Sequence, residues 1–320
     1  MLKKPAKRAI HMPRIVSNNW FNSEALTPEA LQGKIVLADF WTYSCINCLR
    51  TLPHLREWWS RYRDKEFVMI GIHAPEFEFE KDPVNVARAL EESGVDWPVA
   101  LDNDYVNWHN FANHYWPAKY MSDREGRIVY EHFGEGAYDK TEARIQELLM
   151  EGPSAEPLPP IEKLKEPSCF RATPELYCGY TRGILRNPGG FIYEREAGYE
   201  APRHIRDDTI ALDGKFMATR EYVESRGDGA TLLLSFKASE VNLVLDAAMD
   251  RAEAQVLLEG KVPDDTILGA DANGGGHVVV TEPRMYNLLK SDRALSGVLS
   301  FKSTVGSYKA FAFTFSGCID

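Results

Sequence analysis

Two cysteines, Cys45 and Cys48, stand where a buried strand is predicted to meet a helix. Residues 34–41 form a run rich in Val, Ile, Leu and Phe, which is typical of a strand buried on both faces. Residues 49–63 carry apolar side chains at helical spacing. Cys45 therefore opens the helix, and Cys48 follows one turn later on the same face. This arrangement lets two thiols cycle between a dithiol and a disulfide.

The two thiols are predicted to have different roles. Backbone N–H groups and the positive end of the helix dipole favour the thiolate of Cys45, which predicts it as the nucleophile. Cys48 lies deeper and is predicted to resolve a mixed disulfide formed on Cys45. Asp39 is a carboxylate inside an apolar strand, where a charge without a partner is costly. We expect Asp39 to take and return the proton of Cys48, and a hydrogen-bonded core acid is the alternative.

A pair of cysteines at this spacing can also supply half of a zinc site. Zinc needs two further ligands, and Cys169, Cys178 and Cys318 form no second pair at metal spacing. We therefore expect no metal, and no cofactor beyond the redox-active Cys45–Cys48 disulfide.

Five stretches of the first half of the chain carry a family resemblance: 40–53, 73–82, 102–105, 115–120 and 132–136. They resemble the thioredoxin superfamily, in particular its TlpA and peroxiredoxin-related (redoxin) branch, and more narrowly the soluble portion of DipZ-type thiol:disulfide interchange proteins. The resemblance implies a thioredoxin-like fold and a thiol–disulfide exchange activity.

The resemblance also implies a substrate-binding surface. Pro117 follows Trp116 and precedes a predicted strand, a position compatible with a cis bond, and an ordinary trans turn proline is the alternative. In thioredoxin-like folds the matching proline faces the two cysteines and lets a substrate pair as an added strand. Substrate binding is therefore expected of Trp116 and Pro117. Trp41 is expected to pack in the core and also to form the rim of the site, where it would contact the substrate.

Strands and helices alternate through the first domain, which is predicted to span 19–150 after an amino-terminal tail, 1–18, that is read as solvated. This alternation, ending in a hairpin and a last helix, predicts an α/β fold with a mixed sheet flanked by helices. Further strands are predicted at 67–73, 98–102, 118–122 and 127–133, and further helices at 83–92, 105–114 and 139–150.

Acidic and aromatic residues alternate over 76–80, directly after a predicted strand. The pattern indicates a solvated acidic face over a packed phenylalanine pair, and a lining of the partner groove near the thiols is the alternative. His73, His109 and His114 are expected to be structural histidines rather than bases.

A proline-rich linker is predicted at 151–166, followed by an all-β domain over 167–320. Short strands divided by Gly- and Asp-rich turns predict an antiparallel jelly-roll sandwich, with strands at 231–236, 241–245, 277–280 and 308–315. The stretches 173–180 and 312–315 resemble the carbohydrate-binding-module-like domain of DipZ-type proteins. We do not infer sugar binding from this resemblance, because a sandwich fold hosts many functions and the sequence identifies no exposed aromatic platform. A glycan or protein ligand and a role in positioning the redox partner are the open alternatives.

Charge and composition restrict the partners and the compartment. The net charge of −10 and the lack of an extended basic stripe argue against nucleic acid. No signal peptide or membrane-spanning run is recognised, so the chain as written is expected to be cytoplasmic, or extracytoplasmic if an upstream leader or membrane module is missing. Free thiols are then expected at Cys169 and Cys178, with a disulfide between them as the alternative, and Cys318 has no evident partner.

These observations favour a thiol:disulfide oxidoreductase that reduces, or exchanges, protein disulfides through a mixed disulfide. It would need a protein disulfide substrate and a reducing partner. A thiol peroxidase is the alternative enzyme, since Thr42 stands three residues before Cys45, but Ala38 occupies the place of the proline typical of such enzymes. A glycan- or protein-binding module on an inactive redox scaffold is the alternative from another class.

Overall fold

The computed structural model describes residues 10–152, 157–161 and 168–319. It divides into two compact units, Met1–Lys165 and Glu166–Asp320. Residues 1–9 of the predicted tail and most of the predicted linker 151–166 lie outside the described residues. Within the described ranges, no helix combines the length and the apolar character needed to cross a bilayer.

The first unit is built on a six-stranded mixed sheet. The six strands are β1 Trp20–Phe21, β2 Ile35–Trp41, β3 Phe67–His73, β4 Val99–Leu101, β5 Ala118–Ser122 and β6 Ile128–Phe133. Their order in the sheet is β1-β4-β3-β2-β5-β6. Strands β2, β3 and β4 are parallel, and β1, β5 and β6 run antiparallel to their neighbours. The predicted strands are confirmed, with ends that move by one residue at most.

Five α-helices accompany this sheet in the described part of the unit. The helices are α1 Pro28–Leu31, α2 Ile46–Tyr62, α3 Pro83–Glu92, α4 Val106–Asn110 and α5 Tyr138–Met150, with a 3₁₀ turn at Glu78–Lys81. Asp82 caps α3 by accepting a hydrogen bond from Val84 N–H, as its position before a proline favours. Helix α4 is shorter than predicted, because the chain turns into the left-handed region at Ala112 (φ 48°).

Strand β2 is buried along its whole length because both faces of the sheet are covered. Alternate side chains enter two different cores: Ile35, Leu37 and Trp41 pack with α2, and Val36 and Phe40 pack on the opposite face. The same alternation places residue 39 on the face that holds α2, where the two cysteines lie.

Residues 10–18 pack against the first unit. The Met12 N–H donates to the Gly126 carbonyl at 2.8 Å, the Val16 N–H donates to Asn107 Oδ1 at 2.9 Å, and Ile15 is buried. This part of the predicted tail is therefore anchored to the unit at Met12, Ile15 and Val16, while Ile10 and Arg14 are exposed.

The second unit consists mostly of antiparallel strands around one hydrophobic core. The stretches 231–236 and 241–245, predicted as two strands, form one strand of 17 residues with a register irregularity between Ala238 and Glu240. The strands are β7 Ser168–Cys169, β8 Leu176–Tyr177, β9 Glu196–Tyr199, β10 Thr209–Ala218, β11 Val223–Ser225, β12 Thr231–Ala247, β13 Ala252–Leu258, β14 His277–Val280, β15 Arg284–Val305, β16 Tyr308–Ser316 and β17 Cys318–Ile319, with a 3₁₀ turn at Asp265–Ile267.

Apart from the two-stranded ladder of β7 and β17, the described strands of the second unit are hydrogen-bonded in one sheet. Nine strands share one sheet, and β10, β11, β16 and β12 pair in a closed circuit, because β12 bends and changes partner from β10 to β16. A mostly β domain is thus present, whereas the predicted jelly-roll sandwich is not confirmed.

The cysteines of the second unit correct the sequence-based expectation. Cys169 and Cys318 form a disulfide across the β7–β17 ladder, where the two residues are direct partners. Cys178 is a free, buried thiol, and it is not bonded to Cys169. Sequence spacing missed this disulfide because its halves are 149 residues apart.

Candidate active site

Cys45 and Cys48 lie at the beginning of helix α2. Cys45 is the N-cap residue, with an extended backbone, and its Sγ accepts a hydrogen bond from the Cys48 N–H at 3.4 Å. The Cys45 carbonyl accepts the first helical bond, from Leu49 N–H at 3.0 Å. The sulfur of Cys45 therefore faces the free N–H groups of the helix, as the sequence predicted.

The two free thiols differ in burial. Cys45 is half-buried, whereas Cys48 is only 1% exposed. Burial raises the pKa of Cys48, and its hydrogen bond to the Cys45 side chain raises it further. An incoming disulfide can reach the outer thiol, and the inner thiol holds its proton until a base removes it.

Asp39 lies under the same helix and forms an ion pair with Lys119. The two residues are direct partners in the β2–β5 ladder, and Lys119 Nζ lies 3.2 Å from Asp39 Oδ1 with both side chains buried. The angle at this contact is not that of a hydrogen bond. Burial raises the pKa of Asp39, the Lys119 charge opposes that rise, and the Asp39 charge contributes to the raised pKa of Cys48.

Lys119 was not identified from the sequence. The signal was a single lysine inside an otherwise apolar strand, two residues after Pro117. A fully buried lysine is rare unless it is paired, so this position could have been matched with Asp39 as the second buried charge.

Pro117 borders the site at the end of β2. The Trp116–Pro117 peptide bond is cis. The antiparallel register pairs Ala118 with Phe40, so Pro117 lies beside the point where the chain leaves β2 toward Cys45. The Trp116 indole donates from Nε1 to the Ala74 carbonyl at 3.1 Å. The backbone N–H and C=O of Trp116 make no hydrogen bond within the part of the chain that the structure describes.

Trp41 does not lie at the rim of the site. Its side chain is 1% exposed and belongs to the core between the sheet and α2. The expectation of a rim position is wrong, because Trp41, the last residue of β2, packs in the same core as Leu37.

The acidic loop after β3 also differs from its prediction. The phenylalanine pair is present, with Phe77 and Phe79 stacked at 5.6 Å between ring centroids. Glu80, however, is fully buried rather than solvated, and it accepts a hydrogen bond from the Ser44 hydroxyl at 2.6 Å. His73 is buried with its Nε2 3.4 Å from Thr42 Oγ1, and burial lowers its pKa to about 3, so it is a neutral structural histidine.

The described residues contain no group of three or more His, Cys, Asp or Glu side chains suited to hold a metal ion.

Comparisons with known proteins found similarities to each of the two units. Residues 173–316 match the family model "Thioredoxin like C-terminal domain". Thiol-disulfide oxidoreductase YkuV of Bacillus subtilis is 27% identical over 141 residues, which cover 44% of this chain and 95% of YkuV. A solved structure, "Solution Structure of a Thioredoxin-like Protein in the Oxidized Form", is 29% identical with a TM-score of 0.42 and covers 45% of this chain and 97% of that chain. The names of the relatives are consistent with an oxidoreductase enzyme.

One similarity extends over both units. Protein DipZ of Mycobacterium tuberculosis is 33% identical over 302 residues, which cover 92% of this chain and 41% of DipZ. The chain therefore spans less than half the length of this relative.

Proposed function

We propose that this protein is a thiol:disulfide oxidoreductase that reduces or exchanges protein disulfides. The observation that carries the proposal is the placement of an accessible thiol at the N-cap of α2, a buried thiol one turn later, and a buried carboxylate beneath them. The names of YkuV and of other relatives support the same activity.

The reaction begins at Cys45. Its thiolate attacks one sulfur of the substrate disulfide, the substrate S–S bond breaks, and the second substrate sulfur leaves as a thiolate that takes a proton from water. The product is a mixed disulfide between Cys45 and the substrate. The N–H groups at the start of α2 stabilise the attacking anion before the new bond forms.

The second step closes the protein disulfide. Cys48 gives its proton to Asp39 and attacks the sulfur of Cys45, which releases the remaining substrate thiolate. Two electrons have then passed from the dithiol to the substrate, and a reducing partner must return them. Burial raises the pKa of Asp39, which suits it to accept a proton, and the charge of Lys119 opposes that rise.

The substrate chain is proposed to pair with the backbone of Trp116. Its N–H and C=O make no hydrogen bond within the described residues, and Pro117 next to it borders the site. An extended segment on either side of the substrate cysteine would satisfy both groups, as when a strand is added to a sheet edge.

The disulfide of the second unit supports the extracytoplasmic alternative for the compartment. Disulfides such as Cys169–Cys318 persist in oxidising environments and are rare in the cytosol. A glycan or protein ligand of this unit stays an open alternative, since the matched family model names no ligand.

Reduction of a protein disulfide in the presence of a small dithiol tests the activity. We expect Cys45→Ser to abolish turnover and Cys48→Ser to accumulate a mixed disulfide that is visible on a non-reducing gel. Cys178→Ser is the matched control, because Cys178 is a free thiol buried in the second unit, and this variant should turn over like the parent. Turnover that survives Cys45→Ser would contradict the proposal.

A further inference from the structure

Glu80 is buried beside the turn that leads into Cys45. Its Oε1 accepts hydrogen bonds from the Ser44 N–H at 3.3 Å and from the Ser44 hydroxyl at 2.6 Å. Its Oε2 accepts hydrogen bonds from the backbone N–H groups of Glu76 and Phe77, the latter at 3.0 Å. One carboxylate thus ties the residue before the nucleophile to the loop that follows β3.

This set of partners favours an ionised carboxylate. Both oxygens of Glu80 accept hydrogen bonds, two on each side. A protonated carboxyl group carries an O–H donor on one oxygen. On Oε2 that donor would face two backbone N–H groups; on Oε1 the Ser44 hydroxyl could turn and accept, but the Ser44 N–H would lose its acceptor. Uptake of one proton therefore removes at least one of these hydrogen bonds, and the turn before Cys45 loses part of its support.

The balance between the two forms lies near neutrality. Burial, followed by the nearby Glu76 carboxylate, raises the pKa of Glu80 to about 7. The hydrogen bonds from Ser44, Thr42 and Phe77 oppose that rise.

Two neighbouring titrating groups bear on Glu80. Glu76, on the same loop, acts on it through its charge. His73 reaches it through Thr42, and its pKa, lowered to about 3 by burial, keeps it neutral in the range that matters. Tyr43 stacks on His73 with 5.6 Å between ring centroids.

We propose that Glu80 is a positioning residue for the nucleophile: its carboxylate holds the turn at Thr42–Ser44 so that Cys45 meets an incoming disulfide in line, and protonation of Glu80 releases this turn. The inference rests on the proposed function, because it assigns Glu80 a role in the attack by Cys45. The rate of disulfide exchange should then depend on pH in two ways, through the ionisation of Cys45 and through the protonation of Glu80.

The test uses the full chain with Cys48→Ser and Cys178→Ser, which leaves Cys45 as the only free thiol. Two reactions are followed from about pH 5.5 to about pH 9, mixed-disulfide formation with 5,5′-dithiobis(2-nitrobenzoic acid) and alkylation by iodoacetamide. The first needs in-line approach of an S–S bond, and the second reports chiefly the thiolate fraction. Glu80→Gln is isosteric and neutral at every pH, and Ser44→Ala removes one donor while keeping the charge.

We expect Glu80→Gln to lower the high-pH plateau of disulfide exchange about tenfold, because a small misplacement of a reacting atom is costly, with the alkylation plateau unchanged. Ser44→Ala should lower the exchange plateau by a smaller factor, and the double variant should lose no more than Glu80→Gln alone. The matched control is Glu78→Gln in the same loop, where an exposed carboxylate pairs with Lys81 at 2.6 Å, and it should behave like the parent.

An unchanged exchange plateau in both Glu80→Gln and Ser44→Ala would overturn the inference. A plateau that stays constant while the alkylation curve shifts along the pH axis would also overturn it, since the carboxylate would then act on Cys45 only through its charge. Failure of the proposed function looks different, because the parent chain itself would then form no mixed disulfide. If Glu80→Gln does not fold, Ser44→Ala alone decides.

Discussion

The two cysteine pairs of this chain are brought together in different ways. Cys45 and Cys48 lie within one turn of α2, so the helix holds them close whether or not they are bonded. Cys169 and Cys318 are 149 residues apart and meet through a ladder of two short strands. The first pair can therefore open without loss of the local fold, whereas the second pair restrains the whole β unit.

The two cysteine pairs also differ in their surroundings. The first pair lies over a buried ion pair, Asp39–Lys119, and the Asp39 charge contributes to the raised pKa of the inner thiol. The second pair is exposed, and its neighbourhood consists of backbone and hydroxyl hydrogen bonds, such as that from Ser239 Oγ to the Cys318 carbonyl at 2.8 Å. Exposure alone does not make a disulfide catalytic. We expect a helix N-terminus and a proton acceptor to be the features that make a cysteine pair reactive.

Removal of the second disulfide should have the largest effect on stability. A cross-link over 149 residues restrains the unfolded chain by about 5 kcal/mol in the loop-entropy description. We expect Cys169→Ala/Cys318→Ala to lower the free energy of unfolding of the β unit by up to that amount. Far-UV circular dichroism during urea unfolding measures the effect.

The distribution of tryptophan provides the control for this experiment. All seven tryptophans lie in the first unit, so their fluorescence follows that unit alone. In Cys169→Ala/Cys318→Ala, the midpoint of the fluorescence transition and the rate of thiol exchange should both equal those of the parent. A fluorescence transition that moves as far as the dichroism transition would break the separation between a structural and a reactive pair.

Acid should destabilise the unit that holds the reactive pair through His73. Burial lowers the pKa of His73 from its ordinary 6.5 to about 3. The unfolded chain therefore binds the proton more tightly, and the stability supplied by the neutral ring is lost as the pH falls below 6.5. At about pH 3.5 the loss amounts to about 4 kcal/mol.

His73→Gln should remove this part of the pH dependence, as judged by urea unfolding followed by tryptophan fluorescence at several pH values. His114→Gln, at an exposed histidine of the same unit, is the matched control and should keep the dependence of the parent. Parallel pH curves for the parent and for His73→Gln would contradict the assignment of His73 as a buried neutral ring.

The buried ion pair under the reactive thiols gives the next effect. Lys119→Met leaves Asp39 buried without its cation, which should cost about 3 kcal/mol at neutral pH. Because burial raises the pKa of Asp39, the folded chain holds that proton more tightly than the unfolded chain, and stability falls as the pH rises above 3.8. Without Lys119 this fall should be steeper and should extend to higher pH.

Asp39→Asn/Lys119→Met should recover much of the loss, since it removes both charges. Tryptophan fluorescence during urea unfolding at two pH values makes the measurement. Equal stability of the parent and Lys119→Met at high pH would show that Asp39 is not held as an ion.

The sequence predicted the parts of the site that depend on local spacing. Cys45, Cys48 and the start of α2 follow from residues within a few turns of one another. The limits of β2 to β6 agree with the prediction to within one residue, whereas α4 is shorter than predicted and β1 and α1 were not predicted. Asp39 was found as an exception inside an apolar run, but its partner Lys119 is set by the register of two strands. Spacing along the chain does not contain that register.

Two other features were hidden for the same reason. The Cys169–Cys318 disulfide joins the two ends of the β unit. The sequence pattern predicts that Glu80 is solvated, whereas in the structure its carboxylate accepts a hydrogen bond from Ser44. In each case two segments far apart in sequence decide whether a polar side chain is buried and bonded.

Proton transfer at the reactive pair gives the last prediction, with the smallest expected free-energy change. If Asp39 accepts the proton of Cys48, Asp39→Asn should slow resolution of the mixed disulfide about 100-fold at neutral pH, the size typical of a lost general base. Formation of the mixed disulfide by Cys45 should stay nearly unchanged, because that step does not use Asp39. Rapid mixing with a fluorescent disulfide peptide followed by acid quench separates the two rates.

Asp102→Asn is the matched control for this variant. Asp102 is also a buried carboxylate of the first unit, but it accepts hydrogen bonds from the N–H groups of Asn107 and Trp108 at the start of α4. Its loss should lower stability and leave both rates near those of the parent. Equal slowing of the two steps in Asp39→Asn would mean that the carboxylate shapes the site as a whole, and the difference between the two cysteine pairs would then rest on the helix N-terminus alone.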